Sequence, residues 1–157
     1  LKSPFIEKAI FESCKIKKKV VEKDEKEKNL RKILNFGHTF AHAFEATLKY
    51  SKKLNHGEAV ILGIVTALNF SLDKKFVKWT EYKKIMMHIL RLKLPSNIKK
   101  YFSNKDLNSI LAFMIKDKKN ISKKINLILI RKIGSAVIDG EYSGIQIKKF
   151  LKKELSN

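Results

Sequence analysis

Apolar side chains return at helical spacing in the first part of the chain, at Ile6, Ala9, Ile10, Cys14 and Val21. Ser3 followed by Pro4 predicts the start of that helix, a hydroxyl cap with proline at the first helical position. Residues 22–29 are charged except Asn29 and read as a connection. Leu30, Ile33, Leu34, Phe36, Phe40, Ala41, Phe44 and Leu48 then outline the wide apolar side of a second helix, predicted over 29–49. A loop over 50–55 leads into a helix beginning at His56 or Gly57 and running to Leu72. Its apolar run, Ala59 to Leu72, is too short to span a bilayer and reads as a buried helix.

Beyond it, Thr80 is a candidate cap for a helix through Leu92, which Pro95 brings to a halt. Asn104 is a candidate cap for a further helix ending near Lys116. The period then changes. Ile125 to Ile130 is rich in β-branched residues, Gly134 supplies a turn, and Ala136 to Asp139 can pair back as a short hairpin. Ser143 is placed to cap a final helix packed through Ile145, Ile147, Phe150 and Leu151. No repeat and no Gly/Ser linker interrupts the pattern. The expectation is one mainly α domain over 1–157 with one short β-hairpin near 124–139.

Composition changes this picture little. With 157 residues and ten Phe, the chain is long and apolar enough for a packed core. Cys14 is the only cysteine, so no internal disulfide forms, which suits a reducing, cytoplasmic setting. The first residue is Leu, so the natural N-terminus is expected to be missing and targeting is not judged. The net charge of +20 raises a basic nucleic-acid-binding module as a rival from another class. Yet the positive charge is nearly all Lys, scattered over every segment, with Arg only at 31, 91 and 131. Lys, Ile and Asn share A/T-rich codons, which accounts for the excess without an anionic partner. Neither a specific nucleic-acid partner nor a membrane is expected.

The polar side of the second helix carries the chemistry. At about 100° per residue, Arg31, Asn35, His38, His42, Glu45 and Lys49 fall within an arc of roughly 80°. A solvated face normally carries Lys and Glu, so Arg, Asn, His and His together look like the wall of a site. His38 and His42, four apart, suit two ligands on one ion, or one ligand and one proton-transfer group. His56, in His56-Gly57-Glu58 at a helix start, offers a third imidazole. Spacing alone does not say which of His38, His42, His56 and Glu58 bind an ion. Glu58 reads equally as support behind His56 or as a first-turn acid favoured by the helix dipole. His88, among Met86, Met87, Ile89 and Leu90, reads as a core or boundary histidine.

Arg31-Lys32-Ile33-Leu34-Asn35-Phe36-Gly37-His38-Thr39-Phe40-Ala41-His42, then His56-Gly57-Glu58-Ala59-Val60, resembles the 3-dehydroquinate synthase family around its metal. Asp117-Lys118-Lys119, with the strand from Ile125 and Ile133-Gly134, looks like a later element of the same family. The resemblance implies the helical C-terminal domain of a dehydroquinate synthase-like fold. The family's N-terminal NAD-binding α/β domain and its glutamate metal ligand would lie upstream of position 1. It implies His38 and His56 as ligands of a divalent metal, zinc or cobalt, and His42 as a histidine that contacts substrate and assists proton transfer. Lys17 and Arg31 match basic residues at the substrate's carboxylate and hydroxyl region. Asn35 and Lys118 match groups near its phosphate. The implied reaction converts 3-deoxy-D-arabino-heptulosonate 7-phosphate to 3-dehydroquinate and phosphate in the shikimate pathway, with NAD as cofactor and a homodimer as the assembly. Another sugar-phosphate cyclase, or a metal-dependent polyol dehydrogenase of the same architecture, is the near alternative. Ala41 departs from the family, which usually has glycine there, and its methyl is expected to crowd a close neighbour.

Overall fold

A computed structural model describes residues 2–116 and 124–156. They form two compact units, the first ending at Asn35 and the second beginning at Phe36. The first holds helix α1 (Phe5–Lys23) and a 3-10 turn (Leu30–Asn35) that packs back on it. Pro4 stands just before α1, and Ser3 makes no capping bond to it.

Asp24 organises the charged connection between them. Its carboxylate accepts hydrogen bonds from the backbone N–H groups of Lys28 (2.9 Å), Asn29 (2.8 Å) and Arg31 (2.9 Å). These bonds, the one from Arg31 foremost, hold the Asp24 carboxyl below the usual carboxylate range.

The second unit holds α2 (His38–Thr47), α3 (His56–Asp73), α4 (Trp79–Arg91), α5 (Leu107–Lys116), a β-hairpin and α6 (Gly144–Ser156). Helix α2 packs on α3 and α5, while α3 also meets the hairpin and α5 meets α6. Phe40, Phe44, Leu62, Phe70, Ile110, Ile125, Leu129 and Leu151 are fully buried between these elements. Phe70 sits at the centre, edge-on to Tyr142 (4.8 Å) and Phe150 (4.9 Å). As expected from its run of apolar residues, α3 is buried on most of its circumference. No helix among the described residues is long and apolar enough to cross a membrane.

The hairpin is longer than predicted. Strands β1 (Lys124–Lys132) and β2 (Ser135–Ser143) pair antiparallel on either side of Ile133-Gly134. Ser71 ties it to α3: its buried hydroxyl donates to the Ala67 carbonyl (2.7 Å) and accepts from the Ile130 N–H (3.1 Å).

Several boundaries also moved. The final helix is capped at Ser143 as expected, the hydroxyl accepting from the Gln146 N–H at 3.3 Å. Helix α4 starts one residue before Thr80. Ser103, not Asn104, caps the turn before α5, its hydroxyl accepting from the Lys105 N–H at 3.3 Å. His88 is exposed rather than at the core, because α4 turns the adjacent Ile89 inward instead.

The largest correction concerns the continuous helix predicted over 29–49. It is two pieces: the 3-10 turn ends at Asn35, and α2 begins only at His38. Between them Gly37 takes φ +83°, a left-handed conformation that breaks the ladder and that glycine adopts without strain. A Cβ there would stand 2.5 Å from the Ile64 nitrogen and 2.8 Å from the Gly63 carbonyl carbon. Tertiary packing against α3 overrides the helical period here.

Candidate functional site

Once the helix is broken, the polar stripe divides. His38, His42 and Glu45 remain on α2 at i, i+4 and i+7, and Lys49 falls beyond its end. Arg31 and Asn35 belong to the first unit, as does Lys17.

Within the second unit the three histidines come together. The His38 ring lies 5.7 Å from that of His42 and 6.5 Å from that of His56, edge-on to both. Two imidazoles sharing one ion through bonds of about 2.0–2.1 Å stand with centroids roughly 5–6 Å apart; the His38–His42 spacing falls in that range and the His38–His56 spacing is wider. His38 is half-buried, and its Nδ1 is buried with no hydrogen-bond partner. Burial pushes its imidazole below the ordinary histidine range. The Phe36 carbonyl opposes that shift without forming a well-aligned hydrogen bond, while His42 and His56 reinforce it. The result is a neutral ring at neutral pH, the form that ligates metals. His42 is exposed on the same helix face.

His56 is the first residue of α3 and its side chain is 66% exposed. Its Nδ1 lies 3.0 Å from Oε1 of Glu45, whose side chain is only 11% exposed. Glu58 instead accepts a hydrogen bond from the Asn55 N–H at 2.9 Å and closes the start of α3. Of its two sequence readings, the helix-terminal one holds.

The two imidazoles fit a divalent ion by type and by the buried orphan nitrogen. Among the described residues, however, no three His, Cys, Asp or Glu side chains form a group able to hold one.

The crowding expected at Ala41 does not arise. Its methyl faces Gly63, where a Cβ would come within 3.2 Å of it, so the space the methyl needs is left by a glycine on α3.

In the first unit, Arg31 is half-buried and donates from a guanidinium nitrogen to the Glu25 carbonyl (2.6 Å). Asn35 donates its amide N–H to Glu27 (2.6 Å). Lys17 is exposed on α1. Ile6, Ala9, Ile10, Ser13, Cys14, Lys17, Val20 and Val21 share an arc of roughly 140°, and Lys17 is the one charged side chain in it. Lys15, Lys18 and Lys19 all lie outside that arc. Lys118 lies outside the described residues.

The sequence model of the family described as 3-dehydroquinate synthase C-terminal matches residues 1–120. The chain is 61% identical over 156 residues to the 3-dehydroquinate synthase of Pelagibacter ubique, covering 99% of this chain and 42% of the relative. It is 44% identical over 129 residues to that of Endomicrobium trichonymphae, covering 82% of this chain and 34% of the relative. It thus spans about two fifths of the length of such relatives. The fold resembles 2-epi-5-epi-valiolone synthase from Streptomyces hygroscopicus, solved with NAD+ and Zn2+ bound. That match has a TM-score of 0.67 at 21% identity, over 87% of this chain and 36% of the other. It also resembles a 2-deoxy-scyllo-inosose synthase complexed with carbaglucose-6-phosphate, NAD+ and Co2+. There the TM-score is 0.62 at 22% identity, over 81% of this chain and 35% of the other. The match of the family over residues 1–120, most of the chain, places this chain in the 3-dehydroquinate synthase C-terminal family.

Proposed function

We propose that this chain is the metal- and substrate-binding part of a 3-dehydroquinate synthase. Completed by an NAD-binding N-terminal domain, it converts 3-deoxy-D-arabino-heptulosonate 7-phosphate to 3-dehydroquinate and phosphate. The observation that carries the proposal is the triple-histidine cluster at 5.7 and 6.5 Å, set in a chain 61% identical to an enzyme of that name. His38 and His56 hold a zinc or cobalt ion, with further ligands from outside the described residues. Bound there, the ion would supply polarisation of a substrate hydroxyl or carbonyl, and NAD would supply the hydride chemistry.

The rest falls to this chain's own side chains. His42 stands one helical turn from His38 and is exposed, so it is free to hold and pass a proton at the substrate. Lys17 and Arg31 hold the carboxylate and hydroxyl end, and Asn35 and Lys118 the phosphate. A sugar-acid phosphate has an anionic group at each end, and cations with amide donors fix both. The assembly is a homodimer in the cytoplasm.

A chimera tests this. Residues 1–157 would replace the matching part of the Pelagibacter ubique enzyme, and phosphate release and 3-dehydroquinate would be measured with metal and NAD supplied. Turnover of the heptulosonate phosphate is the expected result. Turnover of a different sugar phosphate alone would move the chain to another cyclase of the same fold. A folded, metal-loaded chimera inactive on all of them would overturn the proposal.

A further inference from the structure

Among the described residues, Glu45, Thr66 and Ser71 are the buried polar or charged side chains. Thr66 and Ser71 spend their hydroxyls on carbonyls of their own helix, those of Leu62 and Ala67. Glu45 is different. It lies inside α2's packed face beside Phe44, and a carboxylate is costly to bury without a partner. The partner is an imidazole on another element, His56 at the first position of α3, 3.0 Å away.

The asymmetry of this pair is informative. The carboxylate is on the inside and the ring on the outside, 11% against 66% exposed. An anionic oxygen accepts only, so the imidazole nitrogen facing it carries the proton. His56 is thereby fixed with Nδ1–H pointing inward and its Nε2 lone pair free on the far edge of the ring. A surface histidine without such an anchor rotates freely and favours the opposite tautomer.

We propose that Glu45 is the positioning residue of the site: it sets the tautomer and ring orientation of His56, so that Nε2 is the nitrogen offered to the ion. The proposal rests on the assignment of His56 as a metal ligand. A carboxylate behind a ligating histidine commonly changes metal affinity by about 10–100-fold, because it orients the ring and raises its basicity. The Glu45–His56 bond also links α2, which carries His38, to the start of α3, which carries His56. One bond thus sets one ligand relative to the other.

The test uses the 157-residue chain, zinc ions alone, and the variants Glu45→Ala, Glu45→Gln, His56→Ala and Glu45→Ala/His56→Ala. Without metal, at mildly alkaline pH, long-range proton–nitrogen spectra should show the His56 proton on Nδ1 in the parent and in Glu45→Gln, whose amide oxygen still accepts. Glu45→Ala should move it to Nε2. In calorimetry, Glu45→Ala should weaken zinc binding by about 10–100-fold and Glu45→Gln by less. The double variant should bind no more weakly than His56→Ala. An unchanged tautomer in Glu45→Ala overturns the proposal, and so does a double variant clearly weaker than His56→Ala, which would make Glu45 a ligand itself. Should Glu45→Ala not fold, an Nε2–H tautomer in the parent or in Glu45→Gln is equally decisive against it. Zinc binding that is unaffected by His56→Ala would sink the metal assignment instead, and the tautomer measurement, which needs no metal, separates the two failures.

Discussion

Gly37 and Gly63 cross so closely that neither position has room for a Cβ. One built on Gly63 would overlap the Gly37 carbonyl oxygen and stand 2.9 Å from the Ala41 nitrogen. This crossing brings the start of α2, with His38, down onto the middle of α3. Gly63→Ala should therefore push the helices apart and lower stability by about 1–3 kcal/mol, the usual range for an overfilled core. Gly37→Ala should cost more, since it adds left-handed strain to the clash. Urea unfolding of the chain and both variants checks this, and equal midpoints would mean that the crossing is slack.

Ser71→Ala should lower stability by about 1–3 kcal/mol, although it removes one oxygen atom only. The Ile130 N–H, which the Ser71 hydroxyl accepts at 3.1 Å, would lose its bond where α3 meets the hairpin. Amide exchange at Ile130 should accelerate in the variant beyond what global destabilisation explains.

Asp24 sets a pH dependence in the first unit. Its carboxyl is held below its ordinary value of 3.8, chiefly by the Arg31 and Asn29 N–H groups. A depressed folded value means that the stabilisation is fully present above the unfolded value. It is lost as pH falls through the folded one. The amide shifts of Lys28, Asn29 and Arg31 should titrate together, with a shared midpoint below 3.8. Asp24→Asn should remove that shared transition.

His38 and His42 should separate in the chimera. His38→Ala is expected to lose bound metal and activity together. His42→Ala should keep the metal while turnover falls by about 10²–10⁴-fold, as for a lost acid–base group. A nitrogen bound to a divalent ion cannot also carry a proton, and His42 has no such constraint. Metal analysis beside steady-state rates decides it, and equal metal loss in both would end the division of labour.

Local signals in the sequence were enough for the helical character, the buried α3, the hairpin and the pairing of His38 with His42. Each depends on neighbours within a few positions, where 3.6- and 2-residue periods dictate which side chains share a face. The same period misled at Phe36-Gly37: Gly37 breaks the helix with a left-handed conformation, and the close packing on Gly63 that goes with it lies 26 positions away on α3, outside any local pattern. Glu58 and Glu45 show the boundary most clearly. Both are acids near His56, one two residues away and one eleven. By sequence the nearer read equally as its support or as a first-turn acid, and in the fold it reaches back to the helix start, where Glu58 accepts from the Asn55 N–H. The bond to His56 came from Glu45, because folding α2 against α3 buried its carboxylate 3.0 Å from that imidazole. Residue types and short spacings were written in the chain; which carboxylate met which imidazole was decided by packing, since burial selects partners by proximity in space.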